Sequence, residues 1–164
     1  MGNSYVFFYD SPLGRILIWE EDSSITQLYF AGETDHDADY DFRDTALLNK
    51  AVIQLKEYFC RRRKTFDLPL APKGTAFQQR VWKALLGIPY GQTCSYGQVA
   101  QAVGNEKAAR AVGMANNKNP IAIVIPCHRV IGAYGKLVGY GGGLDKKAYL
   151  LNLEKGRLQV NDRL

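Results

Sequence analysis

The sequence predicts an α/β chain of the segregated, α+β kind: a small antiparallel sheet with one helix over residues 1–70, then a mostly helical, winged helix-turn-helix-like domain over residues 71–164. Three observations lead there. Apolar runs separated by turn signals fill residues 4–30. Apolar residues then recur at helical spacing, first over 44–61 and again after Thr75. Between those two helices lies LPLAPKG, residues 68–74, whose prolines and glycine read as a linker.

Each element follows from its own residues. Tyr5–Tyr9 and Arg15–Glu20 read as strands around a Ser11-Pro12-Leu13-Gly14 turn, and Ile25–Phe30 adds a third strand to make a meander. Residues 31–44 are polar and acidic, a solvated loop. Leu47, Leu48, Ala51, Val52, Leu55 and Phe59 form one stripe of a helix over 44–61 that can cover a sheet face. Its basic end, Cys60-Arg61-Arg62-Arg63-Lys64, suits the negative pole of the helix dipole. Thr75 suits an N-cap, and Phe77, Val81, Trp82 and Leu85 make a buried stripe that Ile88-Pro89-Tyr90-Gly91 ends. Two short helices, Ser95–Val103 and Glu106–Ala115, flank Gly104-Asn105 with the length and punctuation of a helix-turn-helix. Asn116–Pro120 ends the second of them, and Ile121–Ile125 reads as a buried strand or extended segment. A glycine-rich loop, Gly132–Gly143, and a closing helix, Asp145–Glu154, complete the chain.

Composition narrows the function classes. Apolar residues make up 46% of the 164, enough for a real core. No run reaches the roughly 18 apolar residues of a membrane span, so no membrane partner is expected. The opening MGNSYVFFYDSPLG has neither a basic n-region nor a long apolar h-region, so no secretory signal is expected. Cys60, Cys94 and Cys127 are odd in number and widely spaced, which suggests neither a disulfide framework nor a zinc ribbon and favours a reducing, cytoplasmic setting. The net charge of +5 is uneven: residues 1–76 carry −3 and residues 77–164 carry +8. A polyanion is therefore a plausible partner of the second half, with a basic face kept for solubility as the plainer alternative.

The chemistry-bearing stretch is IAIVIPCHRVIG, residues 121–132, where an apolar run leads straight into a thiol, an imidazole and a guanidinium. A thiol with a pKa of about 8.5 is only a few per cent thiolate at neutral pH, and a neighbouring base cures that. An adjacent Cys-His pair by itself is more often structural. The helix before it is unusual too: in EKAARAVGMA, small residues surround one long cation, Arg110. Reading base edges in the major groove takes several long polar side chains, whereas a helix of small residues can settle in the narrower minor groove. Simple close packing of an alanine-rich helix explains the same composition.

Three stretches, taken together, resemble the O6-alkylguanine-DNA alkyltransferase family. They are GTAFQQRVWKALLGIPYGQTCSYGQVA (74–100), EKAARAVGMANNKNP (106–120), and IPCHRVIG followed by GYGGGLDKKAYLLNLE. The resemblance covers nearly all of 74–156 at preserved spacing, and the coarse pattern of residues 1–70 suits the family's N-terminal domain. It implies direct, irreversible, single-turnover transfer of an alkyl group from O6-alkylguanine, and by extension O4-alkylthymine, in duplex DNA to Cys127. It implies no cofactor and a monomer. His128 would take the thiol proton through a water and Glu154 would hold the imidazole. Tyr96 would donate its phenol to the flipped guanine, and Arg110 would fill the space the base leaves. Asn119 would tie the helix-turn-helix to the active-site segment. Ser95, Ala109, Gly113 and Arg129 join Tyr96 and Arg110 as expected DNA contacts. Val130, Gly141, Tyr140 and Lys147 are the expected substrate-binding set: the carbonyls of Cys127 and Val130 would read the guanine amine, the Gly141 N–H would face O6, and Lys147 would support the loop.

Some relatives have serine at Gly141 and proline at Ala122, so the pocket is expected to be roomier here and to accept adducts larger than methyl. Certain relatives bind zinc near the N-terminus. Here that region offers only His36 and Cys60, so no metal is expected. Two other readings stay open at this point: a non-catalytic, lesion-sensing or regulatory DNA-binding module, and a Cys127-His128-Glu154 hydrolase, which the helix-turn-helix does not support. The GYGGG loop lacks the following Gly-Lys-Ser/Thr of a phosphate-binding loop.

Overall fold

The structure is a computed structural model that describes residues 2–36 and 38–158; residues 159–164, placed in the second domain by the sequence reading, lie outside the described residues. The described chain divides into two compact units, residues 2–72 and 73–158.

In the first unit β1 (Ser4–Ser11), β2 (Gly14–Glu21) and β3 (Ser24–Phe30) form an antiparallel sheet in the order β1-β2-β3. Successive strand residues point to opposite faces. Ile16, Leu17 and Ile18 are all fully buried, so the middle of β2 is covered on both sides. The β2–β3 turn places both Asp22 and Ser23 at positive φ (50° and 66°), the geometry whose twist matches a two-residue hairpin. A one-turn helix, α1 (Glu33–His36), interrupts the predicted loop, because the Asp35 carboxylate gathers the Gly32 N–H at 2.8 Å and the Tyr40 hydroxyl at 2.8 Å. The amphipathic helix is α2 (Ala46–Phe59), capped by Thr45, whose hydroxyl oxygen accepts from the Leu48 N–H at 3.1 Å. It packs on β1 and β2 through Leu48, Ala51, Leu55 and Phe59, all fully buried.

The second unit is built on three helices, α3 (Ala76–Leu86), α4 (Tyr96–Ala102) and α5 (Ala109–Asn117). Val81, Trp82, Leu85, Val99, Ala100, Val112 and Ala115 fill their shared core, and Phe77 is half-buried at its edge. The indole N–H of Trp82 donates to the Ala115 carbonyl at 2.9 Å, so the largest core side chain carries no unmet polar group. A β-carbon on Gly74 would sit 2.4 Å from the Trp82 ring, so only glycine lets the chain cross there. Thr75 and Ser95 start α3 and α4 with reciprocal capping boxes to Gln78 and Gln98. Replacing Ser95 by alanine is expected to destabilise this unit by ~1 kcal/mol, read as a lower urea midpoint at unchanged slope.

Three elements differ from the sequence reading. First, α5 begins at Ala109, not Glu106. Residues 106–107 form a turn in which the Lys107 N–H meets the Asn105 side chain at 3.1 Å, and Ala108 offers no capping side chain. Second, Ile121–Ile125 is buried but is not a strand. Its backbone folds on itself, with Val124 N–H to Ala122 O at 2.7 Å and Ile125 N–H to Ile121 O at 3.0 Å. Ile123 is driven to φ 70°, a region that costs a β-branched residue ~1–2 kcal/mol. An apolar run reports burial, and only the available partners decide between a ladder and a compact turn. Third, a two-residue parallel pair unites β4 (Cys94–Ser95) with β5 (Val130–Ile131), joining segments that local sequence gave no reason to connect. Finally α6 (Leu144–Glu154) closes the unit, after a loop whose Ala133–Gly135 turn sets Tyr134 at φ 60°.

Candidate active site

The site is assembled on one 3-10 turn, Cys127–Arg129, which follows the folded-back segment and leads into β5. Cys127 is 6% exposed and His128 fully buried. From the last residue of α6, the Glu154 carboxylate meets His128 Nε2 at 2.6 Å. A carboxylate can only accept, so Nε2 carries the hydrogen and Nδ1 is left as the basic nitrogen. Nδ1 is buried and finds no partner among the described residues. A neutral imidazole is thus presented with its free lone pair on the residue next to the thiol.

Arg129 completes the group. Its Nε donates to Glu154 Oε1 at 2.8 Å, its Nη2 to Oε2 at 3.0 Å and its Nη1 to the Ile88 carbonyl at 2.8 Å. The Gly91 N–H adds a bond to Oε1 at 3.2 Å. The expectation that Arg129 touches DNA is corrected: the residue is 7% exposed and its guanidinium is committed to a buried carboxylate, a forked geometry that only arginine supplies.

Electrostatics follow from these contacts. Burial pushes the Cys127 thiol up, while a hydrogen bond from the Asn119 side chain and the nearby Lys147 ammonium draw it down less strongly. Burial likewise pushes His128 below its ordinary 6.5, against the pull of Glu154. Burial opposes ionisation of Glu154 as well, but hydrogen bonds from His128 and Arg129 outweigh it and hold the carboxyl far below its usual range. At neutral pH the resting state is therefore thiol, neutral imidazole and carboxylate.

The other expected residues fall in four places. Asn119 holds the folded-back segment: its Nδ2 donates to the Ile125 carbonyl at 2.8 Å and its Oδ1 accepts from the Ile121 N–H at 3.0 Å. Lys147 is fully buried, and its ammonium donates to the carbonyls of Val130 (2.6 Å), Val138 (2.9 Å) and Gly139 (3.3 Å), pinning the glycine loop to β5. Tyr96 also reaches that loop, its hydroxyl donating to Val138 O at 2.9 Å. Burial raises the phenol pKa, so it is a hydrogen donor at neutral pH. Tyr140 is half-buried, with a hydroxyl that is shielded and finds no partner among the described residues; burial raises its pKa strongly, and the neighbouring Cys127 thiolate would add to that. Gly113 lies over the Tyr96 ring, where a β-carbon would stand 3.7 Å away. Ser95 and Ala109 are half-exposed, and Arg110 and Gly141 are exposed.

Two residues escaped the sequence reading. Asn116 is 1% exposed on the buried stripe of α5, and its Nδ2 donates to the Cys127 carbonyl at 3.2 Å. The signal was available: an asparagine four residues after Val112 lands on the core face, where a buried amide needs a partner. Met114 is 70% exposed one turn after Arg110, so it shares that residue's stripe.

The chain is similar to known proteins over most of its length. Residues 5–72 match the 6-O-methylguanine DNA methyltransferase, ribonuclease-like domain, and residues 76–156 match the 6-O-methylguanine DNA methyltransferase, DNA binding domain. A methylated-DNA–protein-cysteine methyltransferase of Methanosarcina acetivorans is 48% identical over 152 residues, covering 92% of this chain and 97% of its own. One from Mycobacterium bovis is 51% identical over 149 residues, covering 90% of each. The crystal structure of Mycobacterium tuberculosis OGT in complex with DNA superposes with a TM-score of 0.84 at 49% identity, covering 93% of this chain and 94% of that one. A buried thiol beside an imidazole whose free nitrogen is set by a carboxylate, on a helical unit of this fold and with this likeness over nearly its whole length, places the chain in the 6-O-methylguanine DNA methyltransferase family, the methylated-DNA–protein-cysteine methyltransferases.

Proposed function

We propose that this protein repairs O6-alkylguanine in duplex DNA by moving the alkyl carbon onto Cys127 Sγ, once per molecule. The observation that carries this is the orientation of His128: Nε2 is tied to Glu154, so Nδ1 is left as a buried acceptor on the residue next to Cys127. The thiol proton passes through a water to Nδ1, the sulfur pair forms the new S–C bond, and the C–O6 pair withdraws onto the base. The proton lost by sulfur ends on the released guanine, so the step balances with no co-reactant. The product is a thioether, and nothing in this chemistry cleaves it.

The base must leave the stack to reach a thiol this buried. The small face of α5, with Ala109, Ala111 and Gly113 around the exposed Arg110, supports docking in the minor groove and filling of the gap by that arginine. Tyr96 would exchange its bond to Val138 O for one to the extruded base. Gly141 leaves room: a β-carbon there meets only Asn117 O at 3.9 Å, and its φ lies outside the left-handed region. Gly141→Ser is therefore expected to fold normally and to slow transfer of benzyl relative to methyl, measured as a ratio of rate constants. An unchanged ratio argues against the roomier pocket.

The test is stoichiometry. One equivalent of protein incubated with a duplex bearing O6-methylguanine is expected to gain a single methyl group, mapped to residue 127 by peptide mass. Continued cycling, or a methyl group elsewhere, overturns the reading. Acid dependence gives a second check. Protonated His128 cannot accept, and burial lowers its pKa below 6.5. The single-turnover rate at saturating duplex should stay flat as pH falls to 6.5 and decline only below it.

A further inference from the structure

Met114 is 70% exposed on α5, and among the large apolar side chains of the described residues only Tyr134 is more exposed. A single apolar side chain at the surface is ordinary; its place on the fold sets this one apart. The core stripe of α5 is Val112, Ala115 and Asn116. Helical spacing puts Arg110 and Met114 one turn apart on the opposite side, and both are exposed. The neighbouring Gly113 lies over the Tyr96 ring. Asn117, three residues after Met114, lies against the glycine loop, where a β-carbon on Gly139 would stand 3.1 Å from its Oδ1. Met114 therefore stands between the arginine and the loop that carries Tyr140 and Gly141. At its exposure the side chain buries little surface on folding, so the stability of the unit does not account for it.

The floor of a minor groove is polar, but its walls are the apolar faces of deoxyribose, and a base step that has been opened exposes apolar ring faces. Methionine is one of the side chains that enter such steps as wedges. It is unbranched and flexible, so it follows an irregular surface without strain. Arg110 brings charge to the groove; Met114 brings apolar surface that leaves water only when a duplex arrives. We infer that Met114 is an apolar wedge that enters the minor groove beside Arg110 and packs on the deoxyribose wall and base step next to the extruded nucleotide. This rests on the proposed docking of α5 and adds to it a residue that favours the extruded state over the stacked one.

The experiment has a binding arm and a rate arm. For binding, the Cys127→Ala protein holds an unreacted O6-methylguanine duplex, and Met114→Ala, Met114→Gln and Met114→Leu are added to it and titrated over a range of salt. Alanine and glutamine are expected to weaken binding roughly tenfold, the worth of a largely buried methionine, and leucine much less. The slope of log affinity against log salt should not move, because no phosphate contact is lost. Unchanged affinity of the alanine protein, a glutamine protein that binds as tightly as its parent, or an altered slope overturns the inference. For the rate, proteins with Cys127 intact react at saturating duplex with O6-methylguanine placed opposite cytosine or opposite an abasic site, where no pair has to break. Met114→Ala is expected to slow transfer roughly five- to tenfold opposite cytosine and far less opposite the abasic site. Equal slowing of both marks a general disturbance of the site and overturns the inference, as does a variant that matches wild type on both duplexes. Either result leaves the proposed function standing, whereas a wild type that methylates nothing from either duplex overturns the proposed function itself.

Discussion

Replacing Cys127 by alanine abolishes alkyl transfer while leaving duplex binding within a few-fold of wild type. In the proposed transfer the sulfur forms the new bond, and neither His128 nor Glu154 is expected to stand in for it. His128 spends one nitrogen on Glu154, and its other is the proposed base. The substitution removes a single buried sulfur that plays no part in the hydrogen bonds of Arg129 or Lys147, so the fold should persist. Intact mass after incubation with an O6-methylguanine duplex checks the first half, and a binding titration at fixed salt the second. Any methylated product from the alanine protein removes Cys127 from its assigned role.

Arg129→Leu carries the second largest expected effect, and it acts on stability. It strips three donated bonds at once and leaves the Glu154 carboxylate, whose side chain is 1% exposed, without its cation. Removing one partner of a buried ion pair costs ~3–5 kcal/mol, which for a chain of this size lowers the melting temperature by roughly 10 °C. The loss depends on pH with a definite sign. Glu154 is held below its ordinary 4.5 in the folded protein, so its contribution is fully present above that pH and disappears as pH falls through the folded value. The gap between wild type and variant is therefore widest near neutrality and narrows in acid. Arg129→Lys should recover only part of it, since one ammonium cannot span both carboxylate oxygens and the Ile88 carbonyl. Melting curves across pH test both statements, and equal stability of the leucine variant at neutral pH contradicts the assignment.

How much of this was legible beforehand depends on how far apart the interacting groups lie in the chain. The N-cap at Thr75 reaches the Gln78 N–H only three residues on, and the sequence shows it directly. The same holds for the α2 stripe and the β1–β2 turn. The Cys127-His128 pair is adjacent, so a nucleophile beside a base could be proposed from the letters alone. Arg129 was misread because its neighbours in sequence say nothing of Glu154, 25 residues on, or of Ile88, 41 residues back. On a basic half of the chain, an arginine beside the nucleophile reads as a DNA contact until burial shows otherwise. Ile121–Ile125 was misread for a different reason: an apolar run specifies burial but not conformation, and here Asn119 satisfies its backbone in place of a neighbouring strand.

Sequence alone determined the reagents: a thiol next to an imidazole, a helix of small residues around one arginine, and a positive second half. These are properties of neighbours and of periodicity, which any extended chain already contains. Only the tertiary structure decided which nitrogen of His128 is free, that Arg129 serves Glu154 rather than DNA, and that Asn116 and Lys147 hold the carbonyls flanking the sulfur. Those choices are bonds between groups far apart in the chain, made inside a core where an unpaired polar atom costs free energy, so they exist only once the core has closed.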